Sequence, residues 1–143
     1  MGNWSFQPLI VGKIELARNH RIFISFAIED EWARTRMVGQ ARNERTPFEF
    51  LDMSVKRPWD EAWKTQCRIR IKGCDGMIAM ITNNTANADG QLWEVRAALQ
   101  EGVPLLGVYA TQDNRPYSLP AEFRHVRVVD WTWANISSFI ASL

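Results

Sequence analysis

A polar loop and the helix after it carry the side chains of this chain that are best suited to chemistry. The loop Thr82–Asp89 contains Asn83, Asn84 and Thr85, whose amides and hydroxyls suit ribose hydroxyls and phosphate edges. Glu94 follows, in what the sequence predicts as the first turn of a helix, where the helix dipole favours an ionised carboxylate. A carboxylate in that place can also simply stabilise the helix, so the residue type leaves both roles open.

A single carboxylate is enough to cleave an N-ribosyl bond when the leaving group departs as a neutral molecule. The transition state resembles an oxocarbenium ion, which a nearby anion stabilises as positive charge develops. The nicotinamide of NAD leaves neutral from a cationic precursor, so that no general acid is needed. Glu94 and a shaped pocket beside Trp93 would therefore suffice, and the sequence offers no second catalytic partner.

Other reactive side chains lack the spacing of a known type of site. Cys67 and Cys74 fit neither a disulfide framework nor a paired zinc motif, and no Asp or Cys accompanies His20 or His125 at metal-ligand spacing. Ser25 lies inside a predicted strand, without the surroundings of a nucleophile elbow. We therefore predict no metal site and no cofactor, with NAD as a substrate only.

Composition favours one small globular domain. The chain has 143 residues, of which 46% are hydrophobic and 23% charged, and its formal net charge is +1. So small a charge gives no electrostatic case for nucleic acid or an anionic membrane as partner. No apolar run reaches the roughly 20 residues of a membrane span, and no signal pattern is found, so we expect a cytoplasmic protein. Lys56 and Arg57 could contact phosphates, although such pairs are usually solvated surface.

Apolar runs alternate with helical patterns along residues 20–143, as in a parallel sheet wound by helices. The predicted strands are Ile22–Phe26, Phe48–Asp52, Met77–Ile81, Leu105–Val108 and His125–Val129. Asp30 is predicted to cap the first helix and Pro58 to open the second. The apolar helix faces are predicted as Ala33/Met37/Val38/Ala41, Trp59/Trp63/Cys67/Ile71, Leu92/Val95/Ala98/Leu99 and Ile136/Phe139/Ile140/Leu143.

These elements predict a flavodoxin-like three-layer sandwich: five parallel strands in the order 2-1-3-4-5, with helices on both faces of the sheet. Residues 20–143 form a single domain in this interpretation, and residues 1–19 an additional N-terminal arm. The chain reverses direction between strands one and three, and ligands bind at the carboxyl ends there. The loops Ala27–Asp30 and Thr82–Asp89 are therefore the expected site, with Asp52 nearby.

A set of short motifs also occurs in a characteristic order between residues 21 and 109. They are Phe23-Ile24-Ser25-Phe26, Phe50-Leu51-Asp52, Ile69 to Ile78, Trp93-Glu94-Val95 and Gly102 to Val108. In this order they resemble the Toll/interleukin-receptor-like (TIR-like, ThsB-type) domains of Thoeris antiphage defence systems. The resemblance departs at Gly90, where many TIR enzymes have a tryptophan four residues before the glutamate.

The resemblance implies that Glu94 matches the glutamate with which TIR enzymes consume NAD. Phe26, Ala27 and Asp30 would line the nucleotide site, and Asp52 with the segment Met53–Pro58 would match the loop that TIR domains use for assembly and gating. Thoeris proteins of this kind make an ADP-ribose-derived signal, cyclic or conjugated, that activates a separate effector. The resemblance thus implies NAD, a separate effector, self-assembly and a phage-derived activator as partners.

Two other functions remain compatible with the sequence. Many TIR domains act only as interaction modules, and a flavodoxin-like fold by itself implies no chemistry. The order Asp89-Gly90, Glu94 and Gly102-Val103-Pro104 is also similar to nucleoside deoxyribosyltransferases, which use a glutamate against a ribosyl carbon, although the intervening Gly-Thr of that family is missing.

Overall fold

The computed structural model describes residues 20–45, 48–113 and 115–143, so the predicted N-terminal arm lies outside the described residues. In the described part, each of the first four strands is followed by a helix or a loop that returns the chain to the amino end of the sheet, where the next parallel strand begins. The elements are β1 (His20–Ser25), α1 (Glu31–Asn43), β2 (Phe48–Leu51), α2 (Glu61–Lys72), β3 (Gly76–Ile81), α3 (Asp89–Gln100), β4 (Leu105–Tyr109), β5 (Arg127–Asp130) and α4 (Trp133–Ala141).

The strands form one parallel sheet in the order β2-β1-β3-β4-β5, which confirms the predicted topology. Ser25 at the end of β1 lies beside Ala79 of β3 in the register of the sheet. β3 is buried along its whole length, as its continuous apolar sequence predicts for a central strand covered on both faces. The carboxyl ends of β1 and β3 therefore meet at the switch point of the sheet.

Each face of the sheet packs against a different pair of helices. Ile22, Ile24 and Met80 contact the core cluster that includes residues of α1 and α4, whereas Phe23 and Met77 pack with residues of α2 and α3. Successive side chains of a strand point to opposite faces, so Ser25 is directed to the same face as Phe23. The sheet therefore presents Ser25 to the helices α2 and α3.

Helix α2 begins later than the sequence predicts. Asp60, not Pro58, precedes it, and its carboxylate accepts hydrogen bonds from the backbone N–H groups of Ala62 (2.8 Å) and Trp63 (3.3 Å). Trp59 therefore lies outside the helix and is 76% exposed, so its predicted place on the packing face is wrong. The remaining members of that face, Trp63, Cys67 and Ile71, are buried as predicted.

The buried face of α3 is centred on polar as well as apolar residues. Gln91, Glu94, Val95 and Ala98 are fully buried, and their spacing places them on one side of the helix. Leu99 lies at the margin of this face and is 47% exposed, so its predicted inward position is wrong. A glutamate and a glutamine thus face the interior of the domain.

The final strand is shorter than predicted, because β5 begins at Arg127 and not at His125. It is an edge strand, paired on one side with β4, as its alternating sequence indicates. None of the helices in residues 20–45, 48–113 and 115–143 is long and apolar enough to cross a membrane.

Candidate functional site

Glu94 lies beneath the protein surface at the carboxyl end of the sheet. Helix α3 starts at Asp89, so Glu94 is in its second turn, and the predicted first-turn position is wrong. Its side chain is fully buried between α3, β1 and α2. A carboxylate in this position is shielded from water and depends on protein groups for its hydrogen bonds.

Both oxygen atoms of the Glu94 carboxylate have partners. The hydroxyl of Ser25 donates to Oε1 at 2.8 Å, and the ammonium of Lys56 donates to Oε2 at 2.8 Å. The thiol of Cys67 lies 3.9 Å from Oε2. The sequence-based interpretation of Lys56 as solvated surface is wrong, since the Lys56 side chain is only 6% exposed.

The protonation of Glu94 reflects two opposing influences. Burial raises the pKa of the Glu94 carboxyl from 4.5 to about 7, while the Lys56 ammonium and the Ser25 hydroxyl both lower the pKa, and the charge of Asp52 raises it. The raised pKa runs against the prediction that Glu94 stays fully ionised at neutral pH. Burial also raises the pKa of the Cys67 thiol, which remains protonated and can donate to the carboxylate.

Lys56 reaches Glu94 by crossing the first turn of α3 at Gly90. A Cβ atom at Gly90 would lie 2.7 Å from the Cβ of Lys56, which is closer than two carbon atoms can approach. The Lys56 ammonium also lies 4.1 Å from the centre of the Phe26 ring. A tryptophan at position 90 is incompatible with this placement of Lys56, which gives Gly90 a steric explanation.

Asp30 belongs to a second polar cluster, on the loops that follow β1 and β3. Its carboxylate, 2% exposed, accepts hydrogen bonds from the hydroxyl of Thr82 and, at 3.0 Å, from the side-chain amide of Asn84. The hydroxyl of Thr85 accepts from the backbone N–H of Thr82 at 3.0 Å. Asp30 makes no capping bond to α1, so the predicted capping role is wrong, and the carboxylate holds the β3 loop instead.

Gln91 joins the ends of β1 and β3 beside the glutamate. Its side-chain amide nitrogen donates to the backbone carbonyls of Ser25 (3.2 Å) and Met80 (2.7 Å). Its amide oxygen is buried and has no hydrogen-bond partner among the described residues. Sequence reasoning missed Gln91, although its spacing of three residues from Glu94 places both on one side of a helix.

The remaining predicted site residues are dispersed around this centre. Phe26 and Ala27 are fully buried directly after β1, and Asn83 is exposed on the β3 loop. Asp52 accepts a hydrogen bond from the Arg34 guanidinium at 2.8 Å. The indole of Trp93 packs against the ring of Trp63, with 5.4 Å between ring centres, and against the Arg68 guanidinium. Trp93 therefore stabilises the contact of α2 with α3, beside the packed carboxylate site.

Among the residues that the structure describes, no group of three or more His, Cys, Asp or Glu side chains could hold a metal ion. The polar site instead combines one carboxylate, one ammonium, one hydroxyl and an aromatic ring. These groups can bind and stabilise charge.

The sheet order and the helices on both of its faces define a flavodoxin-like α/β domain. A solved structure described as a prokaryotic SEFIR domain has a similar fold, with a TM-score of 0.51 and 14% sequence identity over 87% of this chain and 95% of that chain. The family model of the Thoeris protein ThsB TIR-like domain matches residues 23–115. The chain therefore belongs to the ThsB TIR-like family, whose context is a defence system. No curated protein matches the sequence significantly.

Proposed function

We propose that this protein is an enzyme that cleaves the nicotinamide–ribosyl bond of NAD, with Glu94 as the catalytic carboxylate. The observation that carries the proposal is a fully buried carboxylate at the carboxyl ends of β1 and β3, held by Ser25 and Lys56. In a parallel α/β sheet this is where ligands bind. Membership of the ThsB family supports the assignment independently.

The reaction needs one negative charge near the ribosyl carbon. As the bond from C1′ to the pyridinium nitrogen breaks, its electron pair passes to nicotinamide, which leaves neutral, and positive charge develops on the ribose. Glu94 stabilises that charge strongly because the surrounding protein excludes water. A nucleophile then donates an electron pair to C1′, and its proton passes to Glu94 or to solvent. Ser25 orients the carboxylate through its 2.8 Å hydrogen bond.

The nucleophile determines the product. Water gives ADP-ribose, a nitrogen or hydroxyl of the same molecule gives a cyclic product, and another metabolite gives a conjugate. In our proposal the product is a cyclic or conjugated ADP-ribose derivative, which acts in the cytoplasm on a separate effector. Membership of the Thoeris ThsB family supports a role in such a system, and a phage-derived activator is part of our proposal.

An interaction module is the second candidate function. Val55 and Trp59, on the segment between β2 and α2, are 55% and 76% exposed. Two large apolar side chains exposed on one short segment could form part of a contact with another protein. In this alternative the segment mediates assembly of TIR-like domains, and the Lys56–Glu94 pair serves only to hold the segment in place.

The experiment is an assay of NAD consumption by the purified protein and its Glu94→Gln variant, with lysate of phage-infected cells as activator. Glu101→Gln is the matched control, because Glu101 follows the last residue of the same helix and pairs with Arg68 and Lys72 away from the Glu94 carboxylate. We expect Glu94→Gln to lower turnover by about 10²- to 10³-fold, and Glu101→Gln to keep the turnover of the wild type. Mass spectrometry then identifies the product, and circular dichroism verifies folding of both variants.

Two results would contradict the enzyme proposal. If Glu94→Gln consumes NAD as fast as the wild type, the carboxylate is not catalytic. If the wild type is inert with activator, at concentrations at which it self-associates, the interaction module is favoured. Release of free base from deoxynucleosides, in place of nicotinamide from NAD, would instead indicate a deoxyribosyltransferase-like enzyme.

A further inference from the structure

We propose that the Lys56 ammonium occupies the subsite in which this protein binds a cationic ring, so that Lys56 stands in for the ligand and competes with it. The identity of that ring as the pyridinium of NAD rests on the proposed function. The existence of a cation-binding subsite does not, because it follows from the groups that surround the ammonium.

Two complementary groups contact the Lys56 ammonium. The Glu94 carboxylate lies 2.8 Å from Nζ, and the centre of the Phe26 ring lies 4.1 Å from it. A carboxylate together with an aromatic face is the combination that proteins use to bind organic cations. Phe26 is fully buried directly after β1, so this ring is a fixed wall of the subsite.

Burial makes the positive charge necessary. The Lys56 side chain is 6% exposed and that of Glu94 is fully buried, so solvent water cannot compensate Glu94 when Lys56 leaves. An ion pair removed from water is stable only while both charges are present. A cationic ligand can therefore replace Lys56, whereas with a neutral ligand the carboxyl of Glu94 would have to bind a proton. The site should bind oxidised NAD and discriminate against its neutral reduced form.

The backbone near Lys56 has a separate attachment to the domain. The indole N–H of Trp63 donates to the carbonyl of Val55 at 2.6 Å, which holds the segment against α2. Beside it, the absence of a side chain at Gly90 admits the Lys56 side chain above α3. The Lys56 side chain can thus leave Glu94 while the preceding residue stays attached, and the subsite then opens to a ligand.

The test measures binding and needs no turnover. Isothermal titration compares 1-methylnicotinamide, a cation, with nicotinamide, its neutral analogue, on the wild type, Lys56→Ala and Arg57→Ala. Arg57→Ala is the matched control, because it removes an exposed positive charge from the same segment without emptying the subsite. The measurements are repeated from about pH 7 to 9.5, because the carboxyl of Glu94 must be ionised and the loss of Lys56, which lowers its pKa, raises that pKa in Lys56→Ala. Ser25 and Cys67 contact the same carboxyl, and the charge of Asp52 acts on it.

We expect Lys56→Ala to bind 1-methylnicotinamide about tenfold or more tightly than the wild type, and to bind it in preference to nicotinamide by a similar factor. Arg57→Ala should bind like the wild type. Adding Glu94→Gln to Lys56→Ala should abolish the gain. Lys56→Arg, which keeps the positive charge, should not show it.

Several results would overturn the inference: no gain in Lys56→Ala, an equal gain for the neutral analogue, or a gain that survives Glu94→Gln. If circular dichroism shows that Lys56→Ala does not fold, Gly90→Ala replaces it, because the added Cβ displaces Lys56 while both charged side chains are kept. Gly90→Ala should then show the same gain in affinity for 1-methylnicotinamide. Selective cation binding without NAD cleavage would refute the proposed function alone. NAD cleavage by a protein whose Lys56→Ala variant gains no affinity for the cation would refute this inference alone.

Discussion

Replacing Gly90 with alanine tests the position of Lys56 without touching either charged side chain. Gly39 in α1 is the control, because an added Cβ there would meet no atom within 4 Å. Alanine in place of a helical glycine stabilises a protein by about 0.5–1 kcal/mol, so Gly39→Ala should raise the free energy of unfolding by that amount. At Gly90 the same gain is opposed by a Cβ–Cβ contact of 2.7 Å with Lys56.

The magnitude follows from the cost of overpacking, about 1–3 kcal/mol for an extra methyl group in a packed site. Further contacts of 3.1 Å and 3.3 Å with Cγ and Cδ of Lys56 leave little room for a small adjustment. After the helical gain is subtracted, Gly90→Ala should lower the free energy of unfolding by about 1–2 kcal/mol. The two alanine variants should therefore differ by about 2 kcal/mol, with opposite signs relative to the wild type.

Urea unfolding followed by tryptophan fluorescence measures this difference. With a slope of about 1–3 kcal/mol per molar urea, the midpoints of the two variants should be separated by about 1 M. Repeating Gly90→Ala in a Lys56→Gly background removes the clashing Cβ, and the destabilisation should disappear there. A Gly90→Ala protein as stable as Gly39→Ala would refute the placement of Lys56 across α3.

Further substitutions and conditions test the surroundings of the site. Asp60→Ala should lower the free energy of unfolding by about 1 kcal/mol in urea titrations, because two backbone N–H groups of α2 lose their acceptor; Glu61→Ala, next to it and exposed, should have little effect. Ile71→Ala should cost about 2–5 kcal/mol in the same assay, since Ile71 is fully buried in the α2–α3 core, and a cost below 1 kcal/mol would contradict that packing. The raised pKa of Glu94 means that the folded state binds its proton more tightly than the unfolded state. The free energy of unfolding should therefore fall as the pH rises from 4.5 to about 7, by up to about 3 kcal/mol from this group. Urea titrations across that pH range should show that the free energy of unfolding of Glu94→Gln falls less than that of the wild type. The same pH dependence in both proteins would be evidence against the burial of the carboxyl.

The fold was predictable because its signals are local. The continuous apolar run that becomes β3 and the repeat of Trp63, Cys67 and Ile71 on α2 each reflect burial of a single element. Their alternation predicts a parallel sheet, and the strand order places the loop after β3 and the helix with Glu94 at the switch point. Trp59 was misplaced because the apolar repeat in the sequence extends to the N-terminal side of Asp60, whereas the helix begins after Asp60.

The sequence by itself determined the sheet, its order and the place of Glu94 on the helix after the central strand, because apolar periodicity and short motifs are properties of neighbouring residues. Only the tertiary structure decided the state of that carboxylate. Ser25 and Lys56 are 69 and 38 residues away from it, and neither carries a local signal of the contact. In the sequence Lys56 has the pattern of a solvated basic residue. In the structure its side chain is buried above α3, in space that is open because Gly90 has no side chain. Burial and pairing of charges depend on atoms that distant segments bring together, and so only the folded chain places a cation against Glu94.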